Sequence, residues 1–347
     1  MAERAVVAGK IAVIGAGSWG TAVAALSARN APTVLWARRH ELAEEIHLAH
    51  TNGAYLAGYP LPAGLGATSS LEDACSGATA IVMGVPSHGF REILTEARAW
   101  ITPGVPVVSL CKGVEQGTLK RMTEIVGEVL PGHPTGVLTG PNLAKEVMAG
   151  HPTASVVAIS DESIGVELQR VFTTGGFRVY TNPDVTGCEI AGALKNVMAI
   201  ASGMADGMGF GDNTRAALIT RGLAELTRLG MALGGQASTF SGLAGMGDLV
   251  ATCISRQSRN RFVGEELGKG RTIEEITAAM NMVAEGVKSS RAVVDLARGV
   301  GVEMPIAEQV VAVLYEGRSA ADVLPRLMGR EARGEHDPPG PLVLEGR

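Results

Sequence analysis

The sequence predicts two domains in series, an α/β domain and then an all-α domain, on three observations. Short apolar runs recur up to Asn182, and each ends in a turn of glycine, proline or polar residues, as buried strands do. One of these runs opens directly onto a glycine-rich turn and an alanine-rich helical stretch. After Asn182-Pro183-Asp184 the strand signal fades and every later periodic stretch reads helical. A chain of 347 residues is comfortable for two cores. Glycine makes up 46 of the 347 residues, about 13 % against an average near 7 %, and the glycines sit at the ends of apolar runs. The expected division is 1–190 for the first domain and 191–330 for the second, with a disordered tail over 331–347, where Pro-Pro-Gly-Pro and scattered charges prevent a packed core.

Taken in order, Lys10 to Ile14 (KIAVI) is a short buried strand running into Gly15-Ala16-Gly17-Ser18-Trp19-Gly20, with a helix from Thr21 to Arg29. This is GxGxxG in its required setting, after a strand and opening a helix. Gly15 makes the tight turn, Gly17 removes a side chain where a pyrophosphate approaches, and Gly20 lets helix and strand pack closely. The helix N-terminus presents unpaired N–H groups and a positive dipole end to the phosphates. The first domain is therefore of the Rossmann type and binds a dinucleotide. Thr33 to Ala37 is the second strand. An acid near its end would bond the ribose hydroxyls of NAD, but the residues there are Arg38 and Arg39, which suit a 2′-phosphate. NADP(H) is favoured and NAD(H) can still bind; the plainer alternative is a solvated arginine pair.

Glu41 to His50 reads as a helix, and His40, His47 and His50 lack metal-ligand spacing, so no metal site is expected. Strands follow at Ala80 to Val85, Pro106 to Cys111, Gly136 to Thr139, Ser155 to Ile159 and Arg178 to Thr181. Ligands gather beyond the carboxyl ends of strands in such sheets, which singles out Ser87, Lys112, Gly140 and Asn142. Each is also ordinary turn chemistry; Lys112 is the expected cation near substrate. Asn182 as N-cap, Pro183 at the first helical position and Asp184 in the first turn signal a strong helix start. Helices are then expected over Val185 to Gly207, Thr214 to Leu233, Ser258 to Gly268, Thr272 to Met280, Lys288 to Arg298 and Ala307 to Leu314.

Lys195 is the lone charge between Glu189 and Asp206, inside a helix apolar on most of its circumference. A lysine there either snorkels to solvent or has a partner and a task. Asp248, in GMGD (245–248), is a helix cap or the partner that orients Lys195. Ser258, Arg259 and Asn260 place donors at a helix start, a phosphate site or a solvated basic turn.

Composition excludes other classes. The net charge is −5 with no basic block, which argues against nucleic acid. Cys75, Cys111, Cys188 and Cys253 lie far apart, as reduced buried thiols do. No apolar run is long enough to span a membrane and no segment has the pattern of a signal peptide, so a cytoplasmic protein is expected.

Together these segments resemble the bacterial NAD(P)-dependent glycerol-3-phosphate dehydrogenases. The matching stretches are VIGAGSWGTA (13–22), LWAR (35–38), VPSH (85–88), KGVE (112–115), GPNLAKEV (140–147), the helical stretch 193–225, GMGDLVATC (245–253), QSRNR (257–261) and VAEGV (283–287). They keep the family's order over nearly the whole chain. The resemblance implies interconversion of sn-glycerol 3-phosphate and dihydroxyacetone phosphate with NAD(P), feeding phospholipid synthesis, by a homodimer. It implies Lys195 as catalytic acid/base, with Lys112, Gly140, Asn142, Asp248, Ser258, Arg259 and Asn260 lining the substrate. Ser18, Trp19, Arg38, Arg39, Lys112, Ala144, Arg259, Val283 and Glu285 are implied to meet the cofactor. Two positions depart from the family pattern: Asn142 stands where Thr or Ser is usual, and VAEG replaces VVEG. One rival is a β-hydroxyacid dehydrogenase of the same two-domain plan, which binds a carboxylate where QSRN and GMGD favour a phosphate. The other is a non-catalytic NADP-binding regulator, which has no use for a buried lysine beside an acid.

Overall fold

The computed structural model describes residues 9–280, 284–330 and 334. Expectations for Val283, and for 331–333 and 335–347 of the tail, fall outside these residues.

Cα packing divides the chain into two units, the first containing the residues up to Cys111 together with Lys120–Glu189, and the second Lys112–Leu119 and the residues from Ile190 onward. The first unit is built on eight strands: β1 (Lys10–Ile14), β2 (Thr33–Trp36), β3 (Leu65–Thr68), β4 (Ala78–Met83), β5 (Val107–Ser109), β6 (Thr135–Thr139), β7 (Thr153–Ile159) and β8 (Phe177–Asn182). Their order in the sheet is β3-β2-β1-β4-β5-β6-β7-β8. The first six make the doubly wound Rossmann order, and every neighbouring pair is parallel except β6 with β7. Two apolar clusters form the core, one centred on Ile11, Val13, Leu35 and Val82, the other on Ala12, Ile14, Ile81 and Met83. The alternation along β1 and β4 sends successive side chains to opposite faces, so each face receives its own layer.

The strand β3 carries no clear signal in the sequence, because Leu65-Gly66-Ala67-Thr68 offers one large apolar side chain. It exists through its parallel register with β2, Thr33 opposite Leu65 and Trp36 opposite Thr68. The stretch expected as one helix over Glu41 to His50 divides into an α-helix, His40–Glu44, and one π-turn, Glu45–Ala49. His50 ends it in the left-handed region at φ 51°.

From Ile190 onward the second unit's described secondary structure is helical, with the main helices Asp212–Ala232, Arg259–Gly268, Glu285–Gly299 and Pro305–Tyr315; Lys112–Leu119 joins it as a non-helical segment. Helix Val185–Gly207 runs through the point where the two units divide. Its start differs from the expected Asn-Pro-Asp cap. Asp184 accepts the Gly187 N–H at 2.8 Å, while Asn182 accepts the Asp184 N–H at 2.8 Å. The capping function therefore passes from Asn182 to Asp184, and the helix begins at Val185, the first residue of the expected span. Helix Arg259–Gly268 crosses Val185–Gly207 at backbone contact: a Cβ on Gly264 would strike the Ile200 carbonyl, and one on Gly203 the Arg261 carbonyl. Only glycine permits that approach.

Candidate active site

The two halves of the expected machinery fall in different units, and each is built locally. In the first unit, Gly15 has φ +119°, and a Cβ there would lie 2.8 Å from the Gly84 carbonyl carbon and oxygen. A Cβ on Gly20 would strike the Gly15 carbonyl. Packing within the protein therefore requires both glycines. Gly17 is different, because a Cβ there would meet nothing within 4 Å. The protein itself does not require that glycine, and the open space beside it fits an approaching pyrophosphate. The Trp19 Nε1–H in the same turn is buried with no hydrogen-bond partner among the described residues. Ser18 donates to the Tyr55 carbonyl at 3.1 Å. Arg38 and Arg39 are exposed at the end of β2, and the Arg39 guanidinium lies 5.9 Å from the centre of the Tyr55 ring. Gly140, at φ +121°, follows β6; a Cβ there would lie 3.2 Å from the Ser155 Cα. The buried Asn142 donates to the Ser155 Oγ at 3.4 Å. Ala144 opens helix Ala144–Met148 and is half-buried. Ser87 opens helix Ser87–Ala97. Lys112 belongs to the second unit, so Ser87, Lys112, Gly140 and Asn142 are not gathered within one unit.

In the second unit, helix Val185–Gly207 is lined by Leu194, Val197, Met198 and Ile200, all nearly inaccessible, and Lys195 is 6 % exposed among them. The lysine does not snorkel. Its Nζ donates to Asp248 Oδ1 at 2.5 Å and to Thr252 Oγ1 at 2.8 Å. Lys112 Nζ donates to the other carboxylate oxygen, Oδ2, at 2.8 Å. Asp248 is the first residue of helix Asp248–Ile254, and Gly247 at its N-cap makes no side-chain cap bond. The carboxylate is thus the partner of two ammonium groups, one on each oxygen. Thr252 stands one turn further along the same helix face, where it accepts from Lys195 and donates to the Asp248 carbonyl at 2.6 Å.

The electrostatics follow from burial. Dehydration pushes the Lys112 amine down from its usual value near 10.5 to about 7, opposed by Asp248 and reinforced by Lys195. Burial also pushes the Glu285 carboxyl up, against the influence of Arg259, Lys195, Lys112 and Lys288. Lys112, Lys195 and Arg259 against Asp248 and Glu285 leave an excess of positive charge, which suits an anionic ligand.

The QSRNR segment divides its roles. Arg259 is exposed at the start of helix Arg259–Gly268, while Ser258 and Asn260 are buried. Ser258 Oγ caps the helix by accepting the Arg261 N–H at 3.2 Å. The Asn260 amide donates to Asn196 Oδ1, and its oxygen accepts the Gly286 N–H, both at 2.9 Å. Asn196 in turn donates to the Lys112 carbonyl at 2.9 Å. A chain of amides thus joins the Lys112 segment, the Lys195 helix and the start of helix Glu285–Gly299. Asn196 and Thr252 were not singled out from the sequence. The spacing of four from Asp248 was an available signal for Thr252; nothing local marked Asn196.

Residues 10–165 match the model of the NAD-dependent glycerol-3-phosphate dehydrogenase N-terminus, and residues 184–325 match that of the C-terminus. The chain belongs to this family. Members of the glycerol-3-phosphate dehydrogenase family are NAD(P)-dependent oxidoreductases, and this chain is one of them. It is 57 % identical over 331 residues to glycerol-3-phosphate dehydrogenase (NAD(P)+) 2 of Sphingopyxis alaskensis, covering 95 % of this chain and 99 % of the relative. It is 50 % identical to the Mycobacterium avium enzyme of that name, over 94 % of this chain and 97 % of the relative. The crystal structure of glycerol-3-phosphate dehydrogenase from Coxiella burnetii superposes with a TM-score of 0.89 at 38 % identity, covering 93 % and 99 % of the two chains. The β-hydroxyacid alternative is not favoured. No helix among the described residues is long and apolar enough to cross a membrane.

Proposed function

We propose that this chain interconverts sn-glycerol 3-phosphate and dihydroxyacetone phosphate with NAD(P) and supplies glycerol 3-phosphate for glycerophospholipid synthesis. The observation that carries the reading is one buried carboxylate, Asp248, bonded to both Lys195 and Lys112. Gly15, Gly17, Ser18, Trp19 and Gly20 hold the dinucleotide phosphates, and Arg38 and Arg39 take a 2′-phosphate, so NADP(H) is preferred. Lys112, Ala144, Arg259, Val283 and Glu285 complete the cofactor contacts. The reduced nicotinamide, when bound, supplies the hydride that the ketone carbon accepts. Lys195, as ammonium, hydrogen-bonds the ketone oxygen and gives it a proton as negative charge develops there. Asp248 aims that amine and Thr252 fixes its second N–H, leaving the third for substrate. Arg259, exposed at a helix N-terminus, holds the phosphate, and Lys112 adds a second cation. Gly140 and Asn142 line the substrate; Ser258 and Asn260 set the position of Arg259 as well as offering donors. Binding the phosphate remotely orients the reacting carbon. The helical second domain, 191–330, carries substrate binding and the dimer contact of a cytoplasmic homodimer.

The test is oxidation of reduced nicotinamide by dihydroxyacetone phosphate, followed by absorbance with NADPH and NADH in parallel. Turnover preferring NADPH supports the reaction and the arginine reading together. Equal rates keep the reaction and remove the arginines from it. Folded protein that binds NADPH but turns over neither cofactor would sink the proposal.

A further inference from the structure

The connection between Ala49 and Leu65 carries a fully buried asparagine that the chemistry above does not use. Asn52 has no exposed surface, and its carboxamide is fully engaged. Its two amide hydrogens go to the Ala16 carbonyl at 3.0 Å and to Thr21 Oγ1 at 2.9 Å. Its Oδ1 accepts the Tyr55 N–H at 3.1 Å. Ala16 is the residue between Gly15 and Gly17, so this side chain reaches into the glycine turn itself. The segment around Asn52 is anchored from two further sides. The Glu45 carboxylate accepts from Thr51 Oγ1 at 2.9 Å and from the Gly53 N–H at 2.7 Å. Ser18, inside the turn, donates back to the Tyr55 carbonyl.

The consequence lies in peptide geometry. The described peptide bonds are trans, and in a planar trans unit the C=O and the following N–H point in opposite directions. Asn52 draws the Ala16 carbonyl inward, and that same bond turns the Gly17 N–H outward. The open space beside Gly17 is where a side chain would sit in any other residue. We propose that Asn52 is a positioning residue for the dinucleotide: by holding the Ala16 carbonyl it aims the Gly17 N–H at the pyrophosphate before the cofactor arrives. The proposal rests on the assignment of Gly15 to Gly20 as the phosphate turn. It concerns the phosphates alone, so it applies equally to NADPH and NADH and is independent of Arg38 and Arg39.

The test compares Asn52→Ala with Thr21→Val. The second change removes the other acceptor of the Asn52 amide and leaves the bond to Ala16 in place. Both remove one or more buried hydrogen bonds from the same segment, so both lower the melting temperature of the free protein. Binding of NADPH and of NADH is measured directly by quenching of protein fluorescence, and steady-state constants are measured beside it. Asn52→Ala is expected to weaken both nucleotides by about tenfold or more, with the KM for dihydroxyacetone phosphate and kcat at saturating cofactor within about twofold of wild type. Thr21→Val is expected to leave nucleotide affinity within about twofold. If Asn52→Ala does not yield folded protein, Asn52→Ser, too short to reach Ala16, replaces it with the same expectation. Unchanged nucleotide affinity in the Asn52 variant would overturn the proposal. Equal weakening in both variants would overturn it too, because general loosening of the segment would then account for the effect. Wild-type protein that binds neither nucleotide would remove the turn assignment itself, and the Asn52 role with it.

Discussion

Replacing Asp248 by asparagine removes one negative charge and almost no volume, so the outcome isolates electrostatics. In the native site the two oxygens each accept from an ammonium, at 2.5 Å for Lys195 and 2.8 Å for Lys112. The amide keeps one acceptor and turns an NH₂ toward the other lysine, donor against donor. At an effective dielectric of about 20, attraction between unit charges at this separation is roughly 6 kcal/mol, and breaking one member of a buried pair costs about 3–5 kcal/mol net. At about 1.4 kcal/mol per factor of ten, kcat/KM for dihydroxyacetone phosphate should fall by roughly 10²- to 10³-fold. The pH profile gives an independent check. Lys112 loses its proton as the pH rises through about 7, so substrate affinity in the wild type should weaken on the alkaline side. Asp248 raises that value, so in Asp248→Asn the inflection should move to lower pH. Stability moves the other way. The folded-state value lies below the unfolded value near 10.5, so the burial penalty is fully present below about pH 7 and is relieved as the pH climbs toward 10.5. The assays are initial rates from about pH 6 to about pH 9 and thermal unfolding over the same range. An Asp248→Asn enzyme within about threefold of wild type throughout, with an unmoved inflection, would refute this reasoning.

Arg259→Ala should raise the KM for dihydroxyacetone phosphate by about 10²-fold while altering the melting temperature little, since the side chain is exposed; an unchanged KM would remove it from the phosphate site. Glu225, buried on helix Asp212–Ala232, accepts the Ile306 N–H at 2.8 Å and the Ala307 N–H at 3.4 Å at the start of helix Pro305–Tyr315. Burial raises its carboxyl from 4.5 to about 7 against those bonds and the nearby Arg228, so the fold holds a proton that the unfolded chain has released. Stability should therefore fall by about 3 kcal/mol between about pH 4.5 and pH 7, and Glu225→Gln should abolish that slope in urea midpoints measured at each end. Gly264→Ala should destabilise the protein by several kcal/mol, about 3 or more, because its methyl would meet the Ile200 carbonyl; a calorimetric melting temperature within one degree or so of wild type would show that the helices part readily.

Much of the first domain was legible because its signals are local. KIAVI followed by glycines specifies a strand, a left-handed turn and a helix within a dozen or so residues. The span of helix Val185–Gly207 was legible, because a run of small and apolar residues with a single charge, Lys195, between Glu189 and Asp206 has the composition of a buried helix. Strand β3 was not, since Leu65-Gly66-Ala67-Thr68, with one large apolar side chain, becomes a strand only by pairing with β2. The helix cap was placed two residues early, because Asn, Pro and Asp all favour a helix start and only the backbone path decides which of them accepts the Gly187 N–H.

The site follows the same division. The sequence by itself singled out the residues proposed to carry chemistry: Lys195 stands alone in an apolar stretch, Asp248 among glycines, and Ser258, Arg259 and Asn260 at a helix start. Tertiary structure decided their partners. Lys195 and Asp248 are 53 residues apart, Lys112 and Asp248 136 apart, and no local rule distinguishes a capping aspartate from one that bridges two lysines. Asn260 bonds Asn196 and Gly286 from across the second unit, and Asn52 holds a turn 36 residues before it. Backbone conformation is set by the few residues around it. A hydrogen-bond partner is set by which helices approach closely enough to touch, and the contacts of Gly203 and Gly264 decide that only once the chain has folded.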